Sequence, residues 1–414
     1  MRQSNPGSEK QLEYWRNCTH RWNVKTGATR SGKTYMDYFL IPKRIIDGKG
    51  KSGMNVILGN TRETVRRNVL IPMQNIYGAK RISNIHADNS CEMFGEKVFV
   101  LGADNVGHVD KIRGMSIKYC YGDEVTTWSE ELFDMLKSRL DKEYSCFDGT
   151  CNPDSPTHWF KKFLDSDADV YEQHYTIFDN PFLPQEFVDN LCKEYAGTVY
   201  YDRYIRGLWA LAEGLIYPMY QEVLVDVLPD ETIHPAEAVC MSIDYGTMNA
   251  FACLLWKKLG GVWYATKGYY YSGRDTGIQK TDGEYLQDLQ ERFREEIKQC
   301  IDNLSAAMAS ETPAHKIEVI IDPSAASFIA LLKKSRWAKV RQADNDVSNG
   351  IRETASAMNT GKIKVWNGIK EWEKEMGGYV WESKEGEERP IKINDHYCDA
   401  TRYMVKTKRL MKRG

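Results

Sequence analysis

The sequence predicts an α/β protein of two successive domains, and three observations carry that expectation. In the first half, short apolar strand-like runs alternate with amphipathic helical ones, which is how a parallel-rich sheet covered by helices on both faces is written. Near 207–235 the pattern turns to Gly, Pro and irregular apolar residues, among them Gly214-Leu215-Ile216-Tyr217-Pro218, and a new apolar strand then opens a second αβ series at Ala238–Asp244. The length of 414 residues suits two domains of ordinary size, with expected bounds 1–210 and 237–414 and a linker at 211–236.

Taken in order, the expected strands of the first domain are Trp22–Thr26, Asn55–Gly59, Lys97–Gly102, Ile117–Gly122, Ser145–Thr150 and Tyr171–Ile177. A helix is expected over Tyr35–Ile41. Another is expected over Ser129–Leu140, where Ser129 can cap and Leu132, Phe133, Leu136 and Leu140 recur at helical spacing. The second domain is expected to carry strands Ala238–Asp244, Ala250–Trp256, Gly261–Tyr271 and Ile317–Ile321, with one long helix over Gly283–Leu304.

Composition excludes several classes. Hydrophobic residues make up 42% and charged ones 28%, ordinary globular values that rule out disorder, collagen-like repeats and coiled coil as global descriptions. No apolar run is long enough to span a bilayer, and Met1-Arg2-Gln3-Ser4-Asn5-Pro6 lacks the apolar stretch of a signal peptide, so a soluble, unsecreted protein without a membrane partner is expected. The 10 cysteines show no zinc spacing and no C-x-x-C, which fits a reducing compartment. With 56 Lys plus Arg against 58 Asp plus Glu, the formal charge of −2 argues against coating nucleic acid by bulk charge. Local basic stretches remain: Arg62, Arg66 and Arg67 about a helical turn apart, and the tail with Arg402, Lys406, Lys408, Arg409, Lys412 and Arg413. Each reads either as a DNA-gripping patch or as a solvated helix face.

Gly27-Ala28-Thr29-Arg30-Ser31-Gly32-Lys33-Thr34 satisfies G-x-x-x-x-G-K-[ST], the P-loop, between an expected strand and an expected helix. Glycines let backbone N–H groups wrap phosphates, Lys33 reaches the β/γ-phosphates, and the Thr34 hydroxyl ligates Mg²⁺. Such a site needs an acid at a neighbouring strand end to complete the Mg²⁺ shell and a second carboxylate to activate water. The strand Ile117–Gly122 followed by Asp123-Glu124 supplies both, although Lys118 and Gly122 make it less apolar than the usual Walker B run. A Glu directly after the Asp points to ATP hydrolysis. Arg30, Arg113 and Arg139 are the candidate transition-state cations. Thr150-Cys151-Asn152-Pro153 follows the next strand and can sense the γ-phosphate, or be an Asn-Pro turn.

A second constellation lies beyond residue 237. Asp244 ends the apolar strand Ala238–Asp244, Asp322 follows Ile317–Ile321, and Asp395-His396-Tyr397-Cys398-Asp399 opens the last helical stretch, with 395 and 399 one turn apart. If the two strands are neighbours and the helix crosses their ends, Asp244, Asp322 and Asp399 converge. Crowded carboxylates are stable chiefly with divalent cations, here Mg²⁺ or Mn²⁺ because the donors are oxygen, and two such ions serve phosphodiester hydrolysis. His396 can act as proton carrier or extra ligand.

Together, Gly27–Thr34 with Arg30 inside it, Asp123-Glu124, Thr150–Pro153, Ser242–Gly246, Ile321-Asp322-Pro323-Ser324 and Asp395–Tyr403 (D-H-x-x-D-A-x-R-Y) resemble the large terminase subunit of tailed bacteriophages, in order and over nearly the whole chain. The resemblance implies an ASCE-type P-loop ATPase domain followed by an RNase H-like nuclease domain. It also implies an ATP-driven motor that threads double-stranded DNA through a portal protein into an empty capsid and cuts concatemers. By position, Gly27, Arg30, Ser31, Gly32, Lys33 and Thr34 would cradle the nucleotide, Asp123 would complete the Mg²⁺ shell and Glu124 would activate water. Thr150 and Asn152 would couple hydrolysis to movement; of the three candidate cations Arg113 is the one taken as catalytic, a choice read from the residues and not from the resemblance. Asp244, Asp322 and Asp399 would hold the nuclease metals with His396 beside them. Implied partners are double-stranded DNA, the small terminase subunit, the portal and further copies of the chain, in the host cytoplasm. Gln11 is the nearest candidate for a glutamine-based adenine motif. Two rivals are a helicase-like remodelling ATPase with a non-cutting second domain, and a recombinase-like nuclease with a regulatory nucleotide site.

Overall fold

A computed structural model describes residues 7–103, 112–233, 235–246, 249–310, 315–384 and 387–411. The chain divides into two compact units, the first reaching Asp189 and including Val199–Ala212, the second including Glu213–Ser383 and the segment from Glu388 onward.

The first unit is built on seven strands: β1 (Trp22–Gly27), β2 (Met54–Gly59), β3 (Ser90–Met93), β4 (Glu96–Gly102), β5 (Ile117–Gly122), β6 (Cys146–Cys151) and β7 (Val170–Tyr175). Their order is β3-β4-β2-β5-β6-β1-β7, parallel throughout except for the β3–β4 pair. Every residue of β1 and β5 is buried, as expected of strands covered on both faces. The polar residues of β5 have structural reasons. Lys118 Nζ meets Glu96 at 2.8 Å and donates to the carbonyls of Gly48 and Lys51. Gly122 leaves room for Trp128, whose ring would lie 2.7 Å from any Cβ placed there. One core packs Trp22 against Phe133 and Phe147, with ring centroids 5.3 and 5.1 Å apart. Phe133 comes from the helix Glu130–Arg139, capped by Ser129 as expected, with Leu132, Phe133 and Leu136 buried.

The second unit holds β8 (Leu224–Val225), β9 (Ala238–Asp244), β10 (Ala250–Leu259), β11 (Val262–Ser272), β12 (Ile317–Ile321), β13 (Ala338–Gln342) and β14 (Ile363–Trp366), in the order β13-β12-β9-β10-β11-β14-β8. β9, β10 and β11 form an antiparallel meander, while β12 runs parallel to β9 and β13 parallel to β12. Within the stretch expected as linker, β8 pairs with β14 as the edge of this sheet. The last helix, His396–Lys408, lies against β9, β10 and β12 and is buried almost all round from Tyr397 to Val405.

Several elements differ from expectation. The helix after the glycine loop begins at Asp37 rather than Tyr35 and runs to Asp47, because the preceding residues close i→i+3 turns (Tyr35 N–H to the Gly32 carbonyl and Asp37 N–H to the Thr34 carbonyl, each 3.1 Å); the Asp37 carboxylate meets Lys25 at 2.6 Å and Tyr121 at 3.1 Å. The seventh strand stops at Tyr175, where Thr176 and Asp179 form a reciprocal cap. The long helix expected over 283–304 is two helices, Asp282–Arg292 and Arg294–Ser310, broken at Phe293 (φ −112°, ψ 29°), whose ring is wholly buried. Three cations of the basic tail meet acids, Lys406 with Glu353 at 2.9 Å, Lys408 with Glu318 and Arg402 with Asp399, while Arg409 is exposed. Lys412 and Arg413 lie outside the described residues. Among the described residues, no helix is long and apolar enough to cross a membrane.

Candidate active sites

In the first unit the loop Gly27–Thr34 leaves the end of β1. Gly27 has φ +142°, and a Cβ there would fall 2.0 Å from the Tyr175 carbonyl oxygen, so only glycine fits where the loop departs. Lys33 folds back into the loop it belongs to, donating from Nζ to the carbonyls of Gly27 (3.2 Å) and Ala28 (2.9 Å) and to Asn152 Oδ1 (2.6 Å). Burial lowers its pKa to about 8, against the opposing pull of Cys151, Glu124 and Asp123. The Ser31 hydroxyl is buried without a partner among the described residues. A loop that leaves a buried hydroxyl unmatched and parks an ammonium on its own carbonyls has the donors that an oxyanion such as a phosphate needs. Arg30 is exposed at φ 56°, and Thr34 is half-buried beyond Lys33.

One strand, β6, separates β1 from β5, and its end joins the two chemistries. Thr150 Oγ1 donates to Asp123 Oδ1 at 3.3 Å, and two residues on, Asn152 accepts from Lys33. Asn68 Nδ2 donates to the other Asp123 oxygen at 3.3 Å. Asp123 is 5% exposed, and burial raises its pKa despite these bonds. Glu124 is exposed and has a left-handed backbone (φ 53°, ψ 53°), a conformation that costs an L-residue about 1 kcal/mol or more. Desolvation by the surrounding protein, then the charge of Asp123, hold its carboxyl above the usual range.

Arg139 Nη1 donates to the Arg113 carbonyl at 2.9 Å; Arg113 is exposed and Arg139 half-buried. Among the described residues, Lys33 and Arg67 bring positive charge to bear on Glu124. Arg67 therefore sits by the acidic pair rather than in a detached patch, while Arg66 is engaged by Glu63 at 2.7 Å and Arg62 by Asn89 at 2.8 Å. Gln11 has both ends of its amide in use, Nε2 on the Gly32 carbonyl (2.7 Å) and Oε1 on the Ser8 N–H (2.8 Å), so it braces the loop. Asn180 braces it too, through the Arg30 carbonyl at 2.8 Å. Asn68 and Asn180 carry no motif that sequence reading could have used.

In the second unit, β12 pairs with β9 in the register Ile321↔Ile243, which places Asp322 and Asp244 side by side at the ends of adjacent strands. The last helix crosses there. His396 Nδ1 lies 2.8 Å from Asp244 Oδ2. Tyr403 donates to Asp322 Oδ2 at 2.9 Å, and the Ser324 N–H to Oδ1 at 2.7 Å. Arg402 binds Asp399 at 2.8 Å. Burial, then the charges of Asp399, Asp244 and Asp322, raise the Tyr403 phenol. Burial pushes Asp244 up to about 6, with Asp399 and Asp395 adding and His396 opposing. For His396, burial works against the charge, but the hydrogen bond and charge of Asp244 overcome it and hold the imidazole above its ordinary value. Both shifts follow from excess negative charge in a buried place.

Among the described residues no group of three or more His, Cys, Asp or Glu is arranged to hold a metal ion. The cage expected of Asp244, Asp322 and Asp399 is thus not preformed: each carboxylate is engaged by its own donor, His396, Tyr403 or Arg402. The donor chemistry still suits a hard divalent cation, since the free positions are carboxylate oxygens in a site crowded with negative charge. Arg402 and Tyr403 stood in the sequence motif without a role. Glu375, which accepts from the Tyr397 N–H at 2.5 Å at the start of the last helix, had no sequence signal.

An α/β protein with parallel-rich sheets, a lysine-bearing glycine loop in one unit and strand-end acids in the other is the class that fold and geometry define. A family model described as "Terminase large subunit, T4likevirus-type, N-terminal" matches residues 26–223. Among solved structures the chain is similar to the large terminase from a thermophilic bacteriophage, with 34% identity over 97% of this chain and 99% of that one and a TM-score of 0.80. Structures of that phage protein in complex with ATP-gamma-S and with ADP match at 34% and 33% identity, each with a TM-score of 0.77, over 97% of this chain and 98% and 99% of theirs. No curated protein sequence is a significant match. The chain belongs to the large terminase family.

Proposed function

We propose that this chain is an ATP-driven motor that packages viral double-stranded DNA, with a metal-dependent endonuclease in its second unit. The observation that carries the motor reading is the bridge at the end of β6, which ties the loop lysine to Asn152 and Asp123 to Thr150. A hydrolysis site and its readout are then one strand end. The relative from the thermophilic bacteriophage, solved with ADP and with ATP-gamma-S, supports the nucleotide assignment.

In this reading residues 1–210 form the P-loop motor and 237–414 the RNase H-like nuclease. Gly27, Arg30, Ser31 and Gly32 wrap the phosphates, and Lys33 exchanges its loop carbonyls for phosphate oxygens. Thr34 and Asp123 hold Mg²⁺. Glu124 takes the proton from the attacking water, helped by a carboxyl already more basic than an ordinary glutamate. Arg113 is the assigned transition-state cation, and Thr150 and Asn152 pass the change in phosphate occupancy along β6. In the second unit Asp244, Asp322 and Asp399 hold Mg²⁺ or Mn²⁺, whose charge, when bound, stabilises the attacking and leaving oxygens of a phosphodiester. His396, fixed by Asp244, carries a proton. The adjacency of Asp244 and Asp322 in register supports this half. The partners proposed are double-stranded DNA, the small terminase subunit and the portal, with several copies assembled on the portal in the host cytoplasm.

Two variants test the halves separately. Glu124→Ala is expected to bind ATP and turn it over at least ~100-fold more slowly, the scale of a positioned general base. Asp244→Ala is expected to abolish Mn²⁺-dependent nicking of plasmid DNA while ATP turnover persists. Wild-type turnover in the first variant removes Glu124 from its role, and wild-type nicking in the second leaves a motor with a non-cutting second domain.

A further inference from the structure

Arg402 is a guanidinium with 1% of its surface exposed, in a helix that carries Asp399 one turn earlier. Its Nε and Nη2 both fall on the same oxygen, Asp399 Oδ1, at 3.1 and 2.8 Å, so Oδ2 has no protein donor among the described residues. Nη2 also reaches Asn345 Oδ1 at 3.2 Å, and Nη1 is buried without a partner. The neighbouring helix makes room for the side chain: a Cβ at Gly350 would lie 2.7 Å from Arg402 Cγ. The guanidinium also rests 4.8 Å from the centre of the ring of Tyr403, whose hydroxyl donates to Asp322 Oδ2 at 2.9 Å.

A buried arginine is retained against its desolvation cost only where a charge partner needs it. Here the partner is one carboxylate of an acidic group that repels itself. One-oxygen binding neutralises Asp399 while leaving its other oxygen for a cation. A fixed positive charge at that distance must also repel any divalent ion arriving at the same carboxylate, since the interaction falls off only as the inverse of distance in a medium of low dielectric.

We propose that Arg402 is the built-in counter-charge of the acidic site: it holds Asp399 in place before metal arrives and sets how tightly Mg²⁺ or Mn²⁺ binds. The proposal rests on the metal-site reading of Asp244, Asp322 and Asp399, and makes Arg402 a positioning residue. Its role is read in cation affinity, apart from any cutting activity.

The test is Mn²⁺ titration of the full chain, followed by calorimetry and by the free-Mn²⁺ electron paramagnetic resonance signal, with Asp244→Asn marking the site. Arg402→Gln keeps a polar side chain but removes the charge, and is expected to melt at lower temperature without metal and to bind Mn²⁺ roughly tenfold more tightly. Arg402→Lys restores the charge and is expected to return the affinity to within about twofold of the parent. If the parent shows no Asp244-dependent Mn²⁺ binding, the metal-site reading fails and takes the proposal with it. If the parent binds and Arg402→Gln binds equally or more weakly, the metal-site reading stands and the counter-charge role is overturned. Should Arg402→Gln not fold, Arg402→Lys decides: a shift of tenfold or more with the charge retained overturns the proposal, and parental affinity supports it.

Discussion

Lys33 Nζ donates to Asn152 Oδ1 at 2.6 Å across 119 residues of chain. The bond exists because β6 lies beside β1, so that the residue just past one strand end faces the loop leaving the other. It gives the lysine a side-chain partner in addition to the carbonyls of its own loop. Asn152→Ala is expected to slow ATP turnover by roughly tenfold or more, while nucleotide affinity changes by less than about threefold, because the lysine is mispositioned rather than lost. Steady-state turnover and equilibrium nucleotide titration on the same preparation separate the two effects.

If Lys33 holds phosphate as proposed, nucleotide binding is expected to be sensitive to alkali. The pKa of Lys33, lowered to about 8 by burial, means the free protein loses that positive charge as pH rises through about 8, far below an ordinary lysine. The kcat/KM for ATP is expected to fall on the alkaline side with a midpoint near that value. On the acid side the raised carboxyl of Glu124 moves the loss of activity to higher pH than an unperturbed glutamate gives. A pH–rate profile with no alkaline limb below about pH 10, the ordinary lysine range, sinks the first half of this expectation.

Gly27 is the position where backbone alone is tolerated. Gly27→Ala drives a methyl group against the Tyr175 carbonyl and strains a positive φ, and is expected to destabilise the first unit by about 2–3 kcal/mol, read as a lower urea midpoint in the transition that reports Trp22 burial.

The pair Lys118–Glu96 accounts for a charge inside β5. Lys118→Met leaves Glu96 and two carbonyls without their cation, and an expected loss of about 2 kcal/mol follows, reduced from the fully buried case because Glu96 keeps some contact with water. The sign of its pH dependence is defined. Lys118 holds the Glu96 carboxyl below its usual range, so the stabilisation is present at neutral pH and is lost as pH falls through the folded-state value. Denaturation curves of parent and variant are expected to converge in acid.

Tyr403→Phe removes the donor to Asp322 and nothing else of size. DNA nicking is expected to drop roughly tenfold with little change in melting temperature, since Asp322 Oδ1 is still held by the Ser324 N–H. Gel-based nicking assays at saturating Mn²⁺ measure it.

The strands at Ala238–Asp244 and Ile317–Ile321 and the helix capped by Ser129 were legible because each is bounded by a change in local pattern that needs no partner to be seen. The helix break at Phe293 was not legible. Its ring is drawn into the core, and nothing in the spacing around it departs from an amphipathic helix. The basic tail misled for a related reason: a run of Lys and Arg looks solvated until the folded chain brings Glu318, Glu353 and Asp399 to meet it.

By itself, the order of amino acids determined the two-part α/β plan, the glycine-and-lysine loop with the acids at 123 and 124, and the strand-end aspartates, because these are properties of contiguous residues. Tertiary structure alone decided which of them meet. The placement of β6 between β1 and β5 joins Lys33 to Asn152 and Asp123 to Thr150. The register of β12 on β9 sets Asp322 beside Asp244, and the burial of the last helix turns Arg402 from a surface cation into the counter-charge of Asp399. Strand order and register arise from packing summed over the whole domain, and local periodicity carries no record of it.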